Sequence, residues 1–480
     1  MGIYRFRMKP GDARKEKGKR IPFEALLWFL FAFILLLLTA QGSFYKADAQ
    51  RLVLRLSNGD LSYPHHKLYL PLLFGFSKLL SPLQLSPFLV ARSFSSFGVA
   101  AGVAFCFMCF RTLGLSLRVT RLCTVLTLFV PTVLFFGTTV ELHGPFFAFT
   151  GLSLYLWARL IKKSLKGGSL IIPALLLGGS TAFSAGVHAS GMILPGLLLP
   201  WYLARTWKQP GPKFLPLSLF LASHGLLLLL FANPGQSTTF LREGFHHPTG
   251  LKELPGILWY EFLWPFLPFS FTFLLAFFRK GVQGEVIAFL LALIPYLGGA
   301  LRLIAGDPEF GAYLIPLAPF AAYLSVRAMG TYALFLILPA LWVQFSIRAI
   351  FAREPAYEIR VQGLHRATEG KPALLLIGDP EEFSAFLAKA PEYKILPLDL
   401  VAKIRMEDLP QLLETFDQNM RKEWKKGRQV LLTRGGKQYL ENSQKSMGRG
   451  PWVLRYLKGK YRFLHVKAEG FEAWVLGRPK

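Results

Sequence analysis

The chain has 480 residues, of which 52% are hydrophobic, 15% aromatic and only 17% charged. A soluble globular chain carries about 25% charged residues, so this one lacks the charge to cover a water-facing surface. The same numbers exclude intrinsic disorder, and three cysteines exclude a disulfide scaffold. The formal charge of +27 would suggest nucleic acid on a soluble domain, so what decides is where the basic residues sit.

The arm 1–20 holds eight basic residues (Arg5, Arg7, Lys9, Arg14, Lys15, Lys17, Lys19 and Arg20) against Asp12 and Glu16, and is expected to stay in the cytoplasm. Residues 21–40 are almost wholly apolar and long enough to cross a hydrocarbon core of roughly 30 Å. No small-residue cleavage site follows, so a retained first span is expected. Further apolar runs lie at 87–110, 119–138, 141–161, 170–187, 189–205, 214–232, 258–278, 285–304, 311–328 and 332–350. They bring the expected count to about eleven spans. The run 68–80 is short and reads as an interfacial or re-entrant segment.

Alternate connections are basic: Arg111, Arg118 and Arg121; Arg159, Lys162, Lys163 and Lys166; Arg205, Lys208 and Lys213; Arg279 and Lys280; and Arg327. The others carry mixed charge, among them Asp48, Asp60, Glu141, Arg302, Asp307 and Glu309. One orientation satisfies every short loop. It places the N-terminus in the cytoplasm and, for an odd number of spans, everything after residue 350 outside.

Residues 351–480 are a different material. Short apolar runs at 373–377, 393–396, 429–432, 463–466 and 473–476 alternate with helix-like stretches at 381–390 and 409–425. That pattern predicts a small α/β domain with a terminal hairpin, and with no cysteine it must be stable without disulfides. From Glu354 onward there are 23 basic and 16 acidic residues, a surplus suited to anionic lipid or polysaccharide surfaces, with no need for nucleic acid. Arg434-Gly435-Gly436-Lys437 lacks the spacing of a phosphate-binding loop and reads as a plain turn. Three domains are therefore expected: the cytoplasmic arm 1–20, a helical membrane domain 21–350 with a long external loop 41–86, and an extracytoplasmic α/β domain 351–480.

The external loop is the most informative segment. Asp48 and Arg51 stand one helical turn apart and share a face. A carboxylate and a guanidinium side by side above a membrane supply a base and a phosphate clamp. From spacing alone, an exposed ion pair on an interfacial helix is the simpler account. Cys106 and Cys109 form a Cys-x-x-Cys within a span and, with Cys123, read as packing residues. Gly178-Gly179 and the small residues of 180–190 suit close helix approach. His188 and His224 lie within or beside spans, where a satisfied buried histidine is the simpler account.

The order of motifs resembles the GT-C glycosyltransferase superfamily, closest to the lipid A aminoarabinose transferases and the protein O-mannosyltransferases. There the first external loop reads roughly Asp-Glu-x-Arg-Tyr, then Gly-Asp, then a Lys- or His-Pro-Pro-Leu run. This chain has Asp48-Ala49-Gln50-Arg51-Leu52, Gly59-Asp60 and His66-Lys67-Leu68-Tyr69-Leu70-Pro71-Leu72. Ala49 stands where the second acid is found, Leu52 where the tyrosine is, and Pro71 alone where there are two prolines. Phe88-Leu89-Val90-Ala91-Arg92 resembles the entry to the second span. Glu141-Leu142-His143 opens a later one, and Ala312-Tyr313-Leu314-Ile315-Pro316 resembles a late span whose arginine is here Ala312.

The resemblance implies a GT-C-like helical membrane fold and inverting hexosyl or pentosyl transfer. The donor it implies is a polyprenyl-phosphate-linked sugar, and the acceptor is an extracytoplasmic glycan, lipid or protein. It makes Asp48 the candidate base, with Glu141 second. Arg51, Lys67, Arg242 and Arg302 become candidates for the donor phosphate, and Asp60, His65, His66, Tyr69, His143 and Tyr313 for substrate contact. Some relatives hold a divalent metal ion, which makes His66, His246 and His247 candidate ligands, although adjacent histidines rarely bind one ion. A transporter or lipid-linked sugar flippase is the alternative, but no internal repeat or midplane charge supports it. A scaffold displaying the tail is a third, opposed by the long polar first loop.

Overall fold

The computed structural model describes residues 20–45, 47–63, 66–165, 168–206, 214–231, 254–279, 282–287, 289–294, 309–351 and 354–479. They form two compact units, one drawn from Met1–Ala40, Gly59–Leu85 and Leu89–Ile350, the other from Gln41–Asn58, Ser86–Phe88 and Phe351–Lys480.

The first unit is helical. Among the described residues, Ile21–Leu38, Pro87–Thr112, Phe214–Phe231 and the 38-residue stretch Ala312–Ala349 are long and apolar enough to cross a membrane, and the number rises from four to six when each of two bent helix pairs counts as one span. The larger expectation also counts shorter apolar helices such as Ile171–Val187 and Ala189–Leu203. The run 119–138 is not one straight helix. Leu117–Phe129 stops, and Pro131 opens a second helix, Pro131–Thr138, bent by 60° from the first. Proline has no N–H to continue a helix but fits the first position of a new one. The run 68–80 forms the short helix Tyr69–Leu79.

Glycines set the closest helix approaches. Pro87–Thr112 carries Gly98 and Gly102 four residues apart, on the side that meets His143–Leu165. A Cβ on Gly98 would stand 2.5 Å from the Gly144 carbonyl carbon, and one on Gly151 would stand 2.6 Å from the Gly102 oxygen. This is small-residue packing of the kind that replaces hydrophobic drive inside a membrane. Ser96 Oγ donates to the Gly137 carbonyl at 2.7 Å across the same region. Cys106, Cys109 and Cys123 are free and buried, as packing residues.

The second unit is an α/β domain with a five-stranded sheet. β1 (Ala373–Ile377) lies between β2 (Lys394–Pro397) and β3 (Gln429–Thr433), parallel to both, and β5 (Phe471–Pro479) joins β3 to β4 (Tyr461–Ala468) in antiparallel fashion. β1 is buried on both faces, which is why it reads as an unbroken apolar run. Leu374 and Leu376 pack with Phe416, Met420 and Val453, while Leu375 and Ile377 pack with Leu364 and Phe386.

Arg434-Gly435-Gly436-Lys437 is not a plain turn. It opens helix Arg434–Glu441, capped by Thr433 Oγ1, which accepts from Gly436 N at 3.0 Å. Its glycines serve close approach, because a Cβ on Gly436 would stand 2.4 Å from the Leu376 oxygen. The helix Ala47–Asn58 also belongs to this unit. It buries Ala49, Leu52, Val53 and Leu56 at helical spacing and packs against Pro380–Lys389, with the Gln50 amide donating to Ser384 Oγ.

Candidate functional site

In the first unit, a group of buried titratable side chains converges. Glu141 precedes the helix His143–Leu165, where a negative charge suits the helix dipole. Its backbone is fixed through Ser95, whose Oγ donates to the Glu141 carbonyl at 2.9 Å and accepts from its N–H at 3.1 Å. His143 starts the helix with Nδ1 3.9 Å from Glu141 Oε2 and Nε2 3.4 Å from Glu309 Oε2. All three residues are buried. A carboxylate–imidazole–carboxylate array of this kind can hold a proton, orient a hydroxyl or amine, or balance a cationic group.

Aromatic and imidazole rings wall the array. The His188 ring centroid lies 4.5 Å from that of His143, His66 stacks on His188 at 4.9 Å, and Tyr313 stands 5.7 Å from His188 and 6.1 Å from His143. Leu68 N donates to the Gly186 carbonyl at 2.9 Å, which ties the chain beside His66 to the end of helix Ile171–Val187. His188 follows that helix and accepts from Ser190 N through Nδ1 at 3.2 Å, which leaves the ring proton on Nε2. Burial, then the neighbouring His143, lower the affinity of the His188 ring for a proton. Tyr69 is buried, and burial, followed by the charge of Glu141 and by Tyr63, pushes its phenol up.

Asp48 and Arg51 lie in the second unit, on helix Ala47–Asn58, with Arg51 Nη1 3.1 Å from Asp48 Oδ1. The carboxylate is 35% exposed and the guanidinium 61%, so both are open to a ligand. Asp60 caps a turn, its Oδ1 accepting from Ser62 N at 2.9 Å and from Ser62 Oγ at 2.7 Å. Lys67 is exposed and donates to the Leu230 carbonyl at 2.9 Å, which occupies one of its three N–H donors.

His65, Arg242, His246, His247 and Arg302 lie outside the described residues. Among the described residues no group of three histidines, cysteines or acids could hold a metal ion. His66 meets its neighbours through its ring face.

The fold is similar along its whole length to two solved structures of ArnT from Cupriavidus metallidurans. The one bound to undecaprenyl phosphate gives a TM-score of 0.54 at 13% identity, covering 95% of this chain and 99% of that one. The apo form gives 0.54 at 14% identity, with 96% and 100% covered. The chain shares the fold of these ArnT structures. The Archaeoglobus fulgidus oligosaccharyltransferase, tethered to an acceptor peptide, gives 0.48 at 12% identity over 95% of this chain and 74% of that one. No protein-family model and no curated protein matches the sequence.

The structure gathers five of the sequence candidates, Glu141, His143, His66, Tyr69 and Tyr313, into one neighbourhood. It adds Glu309, read from sequence only as a loop charge, and His188, read as a satisfied histidine. His188 does cap a turn, yet its ring also packs on the array. The one sequence signal for Glu309 was its sign, since the chain has only 28 acidic residues.

Proposed function

We propose that this protein is an integral membrane glycosyltransferase that moves a sugar from a polyprenyl-phosphate carrier onto an extracytoplasmic acceptor, with inversion. The observation that carries the reading is the end-to-end likeness of its fold to an ArnT structure that holds undecaprenyl phosphate. The acceptor's nucleophile attacks the anomeric carbon, the bond from that carbon to the phosphate oxygen breaks, and the electron pair leaves on the lipid phosphate. Arg51 and Lys67, with Arg242 and Arg302, neutralise the phosphate as it departs, an effect that grows where water is scarce. Asp48 takes the proton from the nucleophile. Glu141, with His143 and Glu309, orients the acceptor. The N-terminus faces the cytoplasm and residues 351–480 face outside.

The test is transfer of labelled sugar from a panel of polyprenyl-phosphate sugars, with mass spectrometry of the labelled acceptor. Transport of a lipid-linked sugar without any transfer would overturn the reading. Full transfer by a well-folded Asp48→Asn protein would remove Asp48 as base. A reporter fused after Lys480 that proves cytoplasmic would overturn the topology.

A further inference from the structure

We propose that Glu261 is a positioning residue that sets Glu309 against His143. The proposal rests on the reading of Glu141, His143 and Glu309 as the array that orients the acceptor. Glu261 sits in a turn of π-helix, Leu258–Leu263, and is 2% exposed. π-turns recur at functional sites, and an acid buried in an apolar membrane segment demands a partner.

Backbone amides hold both of its carboxylate oxygens. Oε1 accepts from Phe310 N at 2.9 Å and Oε2 accepts from Gly311 N at 2.8 Å. Two successive amides therefore point at one carboxylate, a pair of charge-assisted bonds that fixes the loop in two places. Phe310 and Gly311 both take positive φ, 48° and 71°. That conformation is uncommon for a residue as bulky as Phe310 and persists where its surroundings enforce it. Gly311 is also pressed onto the same turn: a Cβ there would stand 2.6 Å from Pro265 Cβ and 3.0 Å from the Glu261 carbonyl oxygen.

The clamped residues lie between two groups of the site. Glu309 immediately precedes Phe310 and places Oε2 3.4 Å from His143 Nε2. Ala312 N donates to the Glu309 carbonyl at 3.0 Å, and the 3-10 turn Ala312–Leu317 then presents Tyr313 to His143 and His188. Loss of the clamp releases the loop that carries both Glu309 and Tyr313, while every group that touches substrate keeps its identity.

The experiment uses the full-length protein in detergent or nanodiscs, as wild type, Glu261→Gln and Glu261→Ala. Two quantities are read: hydrogen exchange of the peptide covering residues 309–314, and kcat and KM for transfer from a polyprenyl-phosphate sugar. Exchange should accelerate in Glu261→Ala, and kcat should fall roughly 100-fold, as misplacement of a site group by about 1 Å does, with KM for the donor unchanged. Glu261→Gln, which keeps one acceptor oxygen, should recover part of both. Unchanged exchange overturns the clamp. Faster exchange with wild-type kcat, or a change confined to KM, overturns the positioning role. If the wild type transfers no sugar, the glycosyltransferase reading fails, while the exchange measurement still decides whether Glu261 holds the loop.

Discussion

Glu309 Oε2 stands 3.4 Å from His143 Nε2, with the two residues 7% and 1% exposed. They are far apart in sequence, and both are buried. A buried carboxyl–imidazole contact of this kind gains little net stability, because desolvation offsets attraction. Its retention in an otherwise apolar bundle is easier to explain by what it does to a bound molecule. Glu309→Gln keeps the shape and removes the charge. The expected outcome is a loss of roughly 100-fold in transfer rate, with a stability change of about 1–3 kcal/mol, because Glu141 remains beside His143. Transfer kinetics and the thermal midpoint of the purified protein check both halves.

Asp48 and Arg51 present the opposite energetics. Both are substantially exposed, and exposed pairs contribute about 0–1 kcal/mol. Asp48→Asn should therefore leave the folded protein within about 1 kcal/mol of wild type and abolish transfer. Arg51→Lys keeps the charge and loses the planar fork that grips phosphate with two parallel bonds. Its expected effect is a raised KM for the donor with a smaller change in kcat. Equal activity of all three proteins would show that the pair belongs to the surface alone.

The α/β unit contains a separate acid whose role is structural. Asp417 is buried and accepts from Tyr456 Oη at 2.6 Å, from Tyr461 Oη and from Lys460 Nζ. Burial raises its proton affinity, but the bonds from Lys460, Tyr456 and Tyr461 outweigh it, so the carboxyl sits below its ordinary range. Glu423 is held down in the same way against its burial, first by Lys394 and then by Arg428 and Lys426. A carboxyl whose proton affinity is lower folded than unfolded binds more protons in the unfolded chain, so its contribution is present above the unfolded value of about 4. It is lost as pH falls below that value and through the folded one. Hydrogen exchange of peptides from this unit should show stability falling steeply below about pH 4. Asp417→Asn should flatten that fall and cost about 1–3 kcal/mol at neutral pH.

Some of this architecture was readable before the structure and some was not, for physical reasons. β1 was legible because a strand buried on both faces has no polar residue to interrupt it. Asp48 and Arg51 were legible because one helical turn is a local relation. Pro131 is the local signal that divides the run 119–138 into two helices, and apolarity alone does not show the break. Arg434–Lys437 misled because paired glycines signal a turn equally with close backbone contact, and only the Leu376 oxygen beneath Gly436 distinguishes them. Glu309 and Glu261 were out of reach. Their meaning lies in contacts with His143 and with the Phe310 and Gly311 amides, and no local pattern encodes contacts between segments so distant in the chain.

Gly178 and Gly179 separate a packing requirement from mere small-residue composition. Both lie in helix Ile171–Val187. A Cβ on Gly178 would stand 2.5 Å from the Phe220 carbonyl oxygen and 2.7 Å from Ser223 Cβ, in the facing helix Phe214–Phe231. The backbone oxygen cannot move aside, so the two helices must part. A Cβ on Gly179 meets only Leu227 Cδ1, at 3.4 Å, the end of a flexible side chain. Gly178→Ala should therefore destabilise by about 1–3 kcal/mol, the range for overpacking, and Gly178→Val by more. Gly179→Ala should be neutral or stabilising by about 0.4–1 kcal/mol, because alanine restricts the unfolded chain and suits a helix. Thermal unfolding of the three variants in one detergent decides it. Equal sensitivity at both positions would mean that small size throughout the helix matters, and that the contact at Phe220 has no special weight.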